Sequence, residues 1–263
     1  MKKVVLCFFL IIFWNNQLQG QNRGAIPVKT KINGKIETLY NESHALLLGN
    51  SDYMNSYWEE LNGVKNDIPK IEIALKNAGF NVITKLNLSK EELDKTISDF
   101  ITSYGKNPEN RLLFYYAGHG HTLTKKYGNS IGYIVPIDSP NPEKDESTFE
   151  AGAFEMKQIE IYAERIESKH ALFLFDACFA GNLFSLRGDI PNIVTYKASL
   201  PVRQFITSGS ANETVPDNSI FSIQFLKALS SKDADFNQDG FLTGTELGKF
   251  LQDNVVNYSY NTQ

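Results

Sequence analysis

Two residues of this chain combine a reactive side chain with a position at the end of an apolar run. Cys178 closes the stretch Ala171-Leu172-Phe173-Leu174-Phe175-Asp176-Ala177, and His119 follows Leu112-Leu113-Phe114-Tyr115-Tyr116-Ala117-Gly118. Runs of this length and composition read as buried strands. A thiolate is a strong nucleophile, and an imidazole can take or deliver a proton near neutral pH. If the two strands lie parallel and adjacent, their carboxyl ends share the sheet edge where open α/β folds place ligands. Cysteine and histidine then face one crevice, where the thiol can attack a carbonyl and the imidazole can protonate a departing group. The plainer alternative is a buried cysteine acting as a small hydrophobe.

The words around these residues carry a family resemblance. Tyr116-Ala117-Gly118-His119-Gly120 and Asp176-Ala177-Cys178-Phe179-Ala180-Gly181 resemble the histidine and cysteine motifs of the caspase-like cysteine peptidases, nearer to metacaspases and their bacterial relatives than to animal caspases. The similarity runs from about His44 onward, and Tyr53, Asp138 and Asn212-Glu213 also fall where that pattern has similar residues. The resemblance implies an α/β fold with an open, mostly parallel sheet of about six strands and helices on both faces. It implies a cysteine endopeptidase acting on a peptide or protein substrate, with His119 and Cys178 catalytic and no cofactor for the catalytic step. The oxyanion donors it implies are the backbone N–H groups of Gly120 and Cys178. His121 is an alternative general base, but the motif selects His119. Zinc at the two histidines lacks an evident third ligand.

Specificity follows from departures as much as from matches. Caspases that cut after aspartate carry an arginine where this chain has Leu61 and a glutamine where it has Asp176. A buried, unpaired carboxylate is costly, and a substrate arginine or lysine would neutralise it. Asp67 matches a second acidic residue of the metacaspase substrate pocket, so Asp67 and Asp176 are expected to bind a basic residue before the cut bond. Within Asn66-Asp67-Ile68-Pro69, Asp67 is equally well placed as a helix N-cap. Val64, Ala117 and Ser185 depart from metacaspases, the first two where pocket-lining cysteine and serine occur, the third at a calcium ligand.

A separate calcium pattern lies further on. Asp235, Asn237, Asp239 and Glu246 occupy loop positions 1, 3, 5 and 12, Gly240 holds position 6, and Phe241 supplies the position-7 carbonyl. This is the full EF-hand spacing, flanked by helical segments, and it suggests Ca2+. An Asx-rich turn between two helices is the alternative.

The elements that must position these residues can be read in order. Met1-Lys2-Lys3, the apolar run Val4 to Trp14 and a polar stretch to Gly20 read as a signal peptide, residues 1–20. Its apolar part is shorter than the roughly 20 residues that cross a bilayer, so a secreted or periplasmic protein without a membrane span is expected. Cleavage removes Lys2 and Lys3 from the 26 basic residues, leaving 24 against 30 acidic and a net charge of −6, which argues against nucleic acid. It also removes Cys7, so Cys178 becomes the lone thiol of an exported chain.

Residues 21–42 form an appended hairpin around Asn33-Gly34, and residues 43–263 the peptidase domain. Apolar residues at Val64, Ile68, Ile71, Leu75 and Ala78 mark one helix, and Ser89 with Glu92 is a capping box opening another. Strands are expected at 44–49, 81–86, 112–116, 133–135, 171–178 and 203–207, and helices before Cys178's strand and at 220–229. Thr122 to Ser130 and Asn141 to Thr148 read as loops. Arg187, Lys197 and Arg203 are candidate self-cleavage points. Two other readings stand beside a peptidase: a catalytically silent module of the same fold that binds partners, and an extracellular calcium-binding structural protein. Nothing in the sequence bears on oligomeric state.

Overall fold

The computed structural model describes residues 27–32, 35–126, 130–178, 202–209 and 219–261. A hairpin of β1 (Val28–Ile32) and β2 (Lys35–Tyr40), paired antiparallel with Ile32 opposite Lys35, precedes the domain. It touches the domain through Tyr40, whose hydroxyl lies 2.8 Å from His170 Nδ1.

The chain then winds through β3 (Glu42–Gly49), α1 (Asn62–Asn77), β4 (Asn81–Leu86), α2 (Lys90–Tyr104) and β5 (Asn110–Ala117). It continues through β6 (Gly120–Thr124), β7 (Ser130–Ile134), α3 (Glu146–Gly152), β8 (Phe154–Glu155), α4 (Met156–Glu164) and β9 (His170–Cys178). β10 (Val202–Gly209), α5 (Ile220–Ser230) and α6 (Gly244–Asn261) follow. Five strands form a parallel sheet in the order β10-β9-β5-β3-β4. Winding runs outward from β3 to β4, then reverses from β5 through β9 to β10, so β3 and β5 flank a topological switch point.

Side-chain alternation divides the core. Leu46, Leu48, Leu112, Phe114, Tyr116, Phe173 and Phe175 pack under α2 and α4. Ala45, Leu47, Leu113, Tyr115 and Leu174 pack under α1, α5 and α6. Both faces are covered, which is why these strands are apolar throughout rather than alternating. α2 begins with the full Ser89–Glu92 capping box.

Three expectations are corrected. The strand near Tyr133 does not join the main sheet: β7 pairs antiparallel with β6 and β8 in a small sheet of its own, leaving five parallel strands among the described residues. The segment after His121 is a strand before it is a loop, because Leu123 and Tyr133 cover a satellite core with Trp58, Val135, Phe149 and Ala153. Part of Asn141 to Thr148 enters α3, where the Asp145 carboxylate accepts from the N–H groups of Ser147 and Thr148 and caps a seven-residue helix anchored by buried Phe149.

Candidate active site

β5 and β9 are paired with Ala117 opposite Asp176, so His119 and Cys178 each stand two residues beyond the same rung. The Gly118 N–H donates to the Asp176 carbonyl at 3.4 Å, tying the strand ends together. A Cβ on Gly118 would lie 2.5 Å from Tyr116 Oη and 3.0 Å from Tyr53 Oη. Gly118→Ala is therefore expected to cost about 1–3 kcal/mol through overpacking and to displace His119. Thermal unfolding alongside turnover measurements checks both effects.

His119 is fixed on all sides. Its N–H donates to Tyr53 Oη at 2.8 Å, and its carbonyl accepts from Tyr116 Oη at 2.9 Å and from the Val135 N–H at 3.1 Å. Its Nε2 lies 2.8 Å from the Glu59 carbonyl. A carbonyl only accepts, so Nε2 carries the proton of the neutral ring and Nδ1 is the basic nitrogen. The ring packs against Tyr53 and Trp58, with centroids 4.8 and 5.5 Å away. Burial lowers its pKa below the ordinary histidine value, with the Glu59 carbonyl opposing the shift, so the neutral base predominates at pH 7.

Gly120 opens β6 opposite Ile134. The Val135 N–H to His119 carbonyl bond makes Gly120–Ile134 a non-hydrogen-bonded pair. The Gly120 N–H is thus left out of the ladder, as a donor for an oxyanion must be. His121 belongs to the satellite cluster, edge-on to Trp58 and Phe149 at 5.7 and 5.0 Å.

Asp176 and Asp67 lie on the α1/α5 side of the sheet. Asp176 is 6 % exposed, and Tyr115 donates its hydroxyl to Oδ2 at 3.1 Å. Its Oδ1 has no hydrogen-bond partner among the described residues. Burial pushes the carboxyl pKa up to about 6, partly offset by the hydroxyls of Ser219, Tyr115 and Ser208, while Asp67 adds to the rise. Asp67 accepts from the Ser222 hydroxyl and pairs with Lys70 at 2.9 Å. It is not an N-cap: α1 starts five residues earlier, at Asn62, and Asp67 stands inside it.

Asp235, Asn237, Asp239, Phe241 and Glu246 lie in the connection from α5 to α6. The Asp235 Oδ2 accepts from the Gly240 N–H at 2.9 Å, and Asp239 Oδ1 accepts from the Phe241 N–H at 2.8 Å. Glu246 directs Oε1 to the Asn237 N–H and Oε2 to the Thr243 N–H and hydroxyl. Gly240 takes φ 84°, the left-handed backbone that glycine adopts without strain. Among the described residues, no three His, Cys, Asp or Glu side chains gather as metal ligands do.

Arg203 is no exposed cleavage point. It stands in β10 with its guanidinium donating to the carbonyls of Ala163, Ile166 and Lys169. The signal peptide, Ser185, Arg187, Lys197 and Asn212-Glu213 lie outside the described residues. Two parts of the site escaped sequence reasoning: the Glu59 carbonyl and the Trp58 ring. The available signal was the aromatic loading of the loop leaving the switch-point strand, Tyr53, Tyr57 and Trp58.

Comparison with known proteins agrees with this architecture. No curated protein matches the chain in sequence. A solved structure from Geobacter sulfurreducens superposes with a TM-score of 0.53 at 17% identity, covering 80% of this chain and 88% of that one. Caspase-1 from Spodoptera frugiperda superposes at 0.54 with 16% identity, covering 81% and 75%. At such identities these likenesses speak for the fold alone. The model of the caspase domain matches residues 42–259, the whole stretch that carries the parallel sheet and the histidine and cysteine strands, and the chain therefore belongs to the caspase-domain family.

Proposed function

We propose that the protein is an exported cysteine endopeptidase that cuts after arginine or lysine, with Cys178 as nucleophile and His119 as acid–base. Family membership supports a cysteine-peptidase-like function acting on proteins. The observation that carries the finer reading is the shared rung Ala117–Asp176, which brings the two reactive residues and the buried carboxylate to one end of neighbouring strands.

In this mechanism the thiol passes its proton to His119 Nδ1, and sulfur adds to the scissile carbonyl carbon. The oxyanion is met by the backbone N–H groups of Gly120 and Cys178; loss of one such donor typically costs about 100-fold or more. His119 then returns the proton to the amide nitrogen as the C–N bond breaks, leaving a thioester that water hydrolyses with His119 as base. Upstream of the bond, a guanidinium or ammonium side chain would reach Asp176, whose Oδ1 would gain the partner it lacks among the described residues. Asp67 already shares its charge with Lys70, so it contributes less.

The test is a panel of fluorogenic peptides ending in arginine, lysine or aspartate. Turnover after arginine and lysine, with little after aspartate, is expected. Turnover only after aspartate refutes the pocket, and turnover of none by folded protein favours a silent binding module.

Calcium at residues 235–246 is a second, structural part of the reading, favoured by the two Glu246 oxygens turning into the loop. Ser219 and Ser222 place the start of α5 beside the two carboxylates, so the loop after Ser230 lies a helix length away from the crevice. Calcium there would stabilise rather than participate in catalysis. Calcium at 100 times its Kd should add about 2.7 kcal/mol. The expected result is a rise in Tm with calcium that Glu246→Gln abolishes, while chelation leaves kcat unchanged below the transition; a Tm indifferent to calcium sinks the reading.

A further inference from the structure

We propose that Trp58 is a positioning residue for the acid–base step, setting the protonation of His119 through the peptide that follows it. The inference rests on the reading of His119 as the acid–base. Its starting point is the loop between β3 and α1, which leaves the sheet at the switch point. The loop's first residues are held by Asn87, whose Oδ1 accepts from the N–H groups of Ser51 and Asp52 at 2.9 and 3.1 Å. The Met54 N–H donates to the Ile137 carbonyl, and the Leu61 N–H donates back to the Ser51 carbonyl. Between these ties, backbone-to-backbone bonding of residues 55–60 is local: the Trp58 N–H donates to the Asn55 carbonyl.

The deep anchor of that middle stretch is the indole. Trp58 is 7 % exposed, and its Nε1–H is shared between the carbonyls of Ser139 and Pro140 at 3.2 and 3.3 Å. Those acceptors belong to a fixed turn. The Ser139 N–H donates to the Pro136 carbonyl, the Asp138 carboxylate accepts from the first N–H of α2, and the Pro140 ring lies 2.5 Å from where a Cβ on Gly152 would sit. The indole also packs against the His119 ring, with the two planes tilted by 42°. One residue along the chain, the Glu59 carbonyl receives the His119 Nε2 at 2.8 Å.

Trp58 thus fixes the carbonyl that keeps the proton of neutral His119 on Nε2. Only with that proton in place is Nδ1 free to accept the thiol proton and later deliver it to the departing amine nitrogen. Releasing the indole would let the carbonyl drift, and the two tautomers of the imidazole would mix. Misplacement by about 1 Å in such an arrangement can cost on the order of 100-fold.

Two variants separate positioning from packing. Trp58→Phe removes the N–H but leaves a void; 3-benzothienylalanine at position 58 replaces the N–H by sulfur at nearly unchanged shape. His119 ring nitrogens are followed by 15N NMR in the resting protein, identified by their loss in His119→Gln, alongside kcat and KM on an arginyl peptide. Wild type is expected to show the Nε2–H tautomer, and both variants a mixture, with kcat down about 10- to 100-fold and KM within about twofold. An unchanged tautomer in the benzothienyl protein, or a fall in folding stability that accounts for the lost turnover with the tautomer intact, overturns the proposal. If the wild-type protein cleaves no peptide, the peptidase reading fails by itself, and the tautomer comparison still decides the role of Trp58.

Discussion

Cys178→Ala and His119→Ala are each expected to lower kcat/KM on an arginyl peptide by about 1000-fold or more, and the double variant little further. The reason is that in the proposed mechanism the two side chains act as one unit. Without sulfur there is no thioester, and without the imidazole the thiol, with an ordinary pKa of about 8.5, is mostly protonated at neutral pH. Removal of either leaves only binding and the oxyanion donors, and groups that act together are grossly non-additive. Independent, multiplicative losses in the double variant would mean that Cys178 and His119 do not share a reaction. Retained activity in Cys178→Ala would end the cysteine-peptidase reading. His119→Ala loses the ring's contacts with Tyr53, Trp58 and the Glu59 carbonyl but should keep the path of the chain there, because the bonds from its own N–H to Tyr53 and to its own carbonyl from Tyr116 and Val135 remain.

That contrast explains what the sequence could tell and what it could not. β5 and β9 were legible because strands covered on both faces must be apolar along their whole length, and Phe114 and Phe173 show this directly, stacked 4.4 Å apart. α2 was legible because its N-terminal signal, Ser89 with Glu92, is made by side chains. α1 was harder. Its N-cap is Leu61, with no side-chain bond, and Pro69 sits inside it, so the strongest local cap signal, Asp67, lies six residues beyond the true cap. α3 owes its existence to one cap and one buried ring, too little periodicity to announce a helix. The small sheet of β6, β7 and β8 could not be told from parallel strands, since a short apolar run does not state its partner. The Glu59 carbonyl is the clearest case. Its role rests on an atom that every residue possesses, so nothing in the identity of Glu59 could mark it, and only the placement of the loop beside His119 does so.

Asp176→Asn is expected to trade function against stability, with opposite signs at neutral pH. A buried carboxylate with one oxygen unpartnered among the described residues is the group that a substrate cation would complete, so kcat/KM for arginyl and lysyl peptides should fall about 100-fold or more in the variant. In wild type the same quantity should decline as pH falls through about 6, where the free enzyme's Asp176 takes up a proton. kcat at saturation should decline less, because a bound cation holds the carboxylate ionised. Stability runs the other way. The folded-state pKa of about 6 lies above the unfolded value of roughly 3.9, so the native protein binds the extra proton between them. The stabilising contribution is therefore fully present below about pH 4 and lost as pH rises through 6, a difference on the order of 3 kcal/mol. An asparagine keeps an oxygen for the Tyr115 hydroxyl and carries no charge to desolvate. Its advantage over wild type in chemical denaturation should grow from pH 4 to pH 7 and then level off. A variant that is less stable than wild type at pH 7.5, or that still prefers arginyl substrates, would show that Asp176 is a structural carboxylate and that the pocket for the basic side chain lies elsewhere.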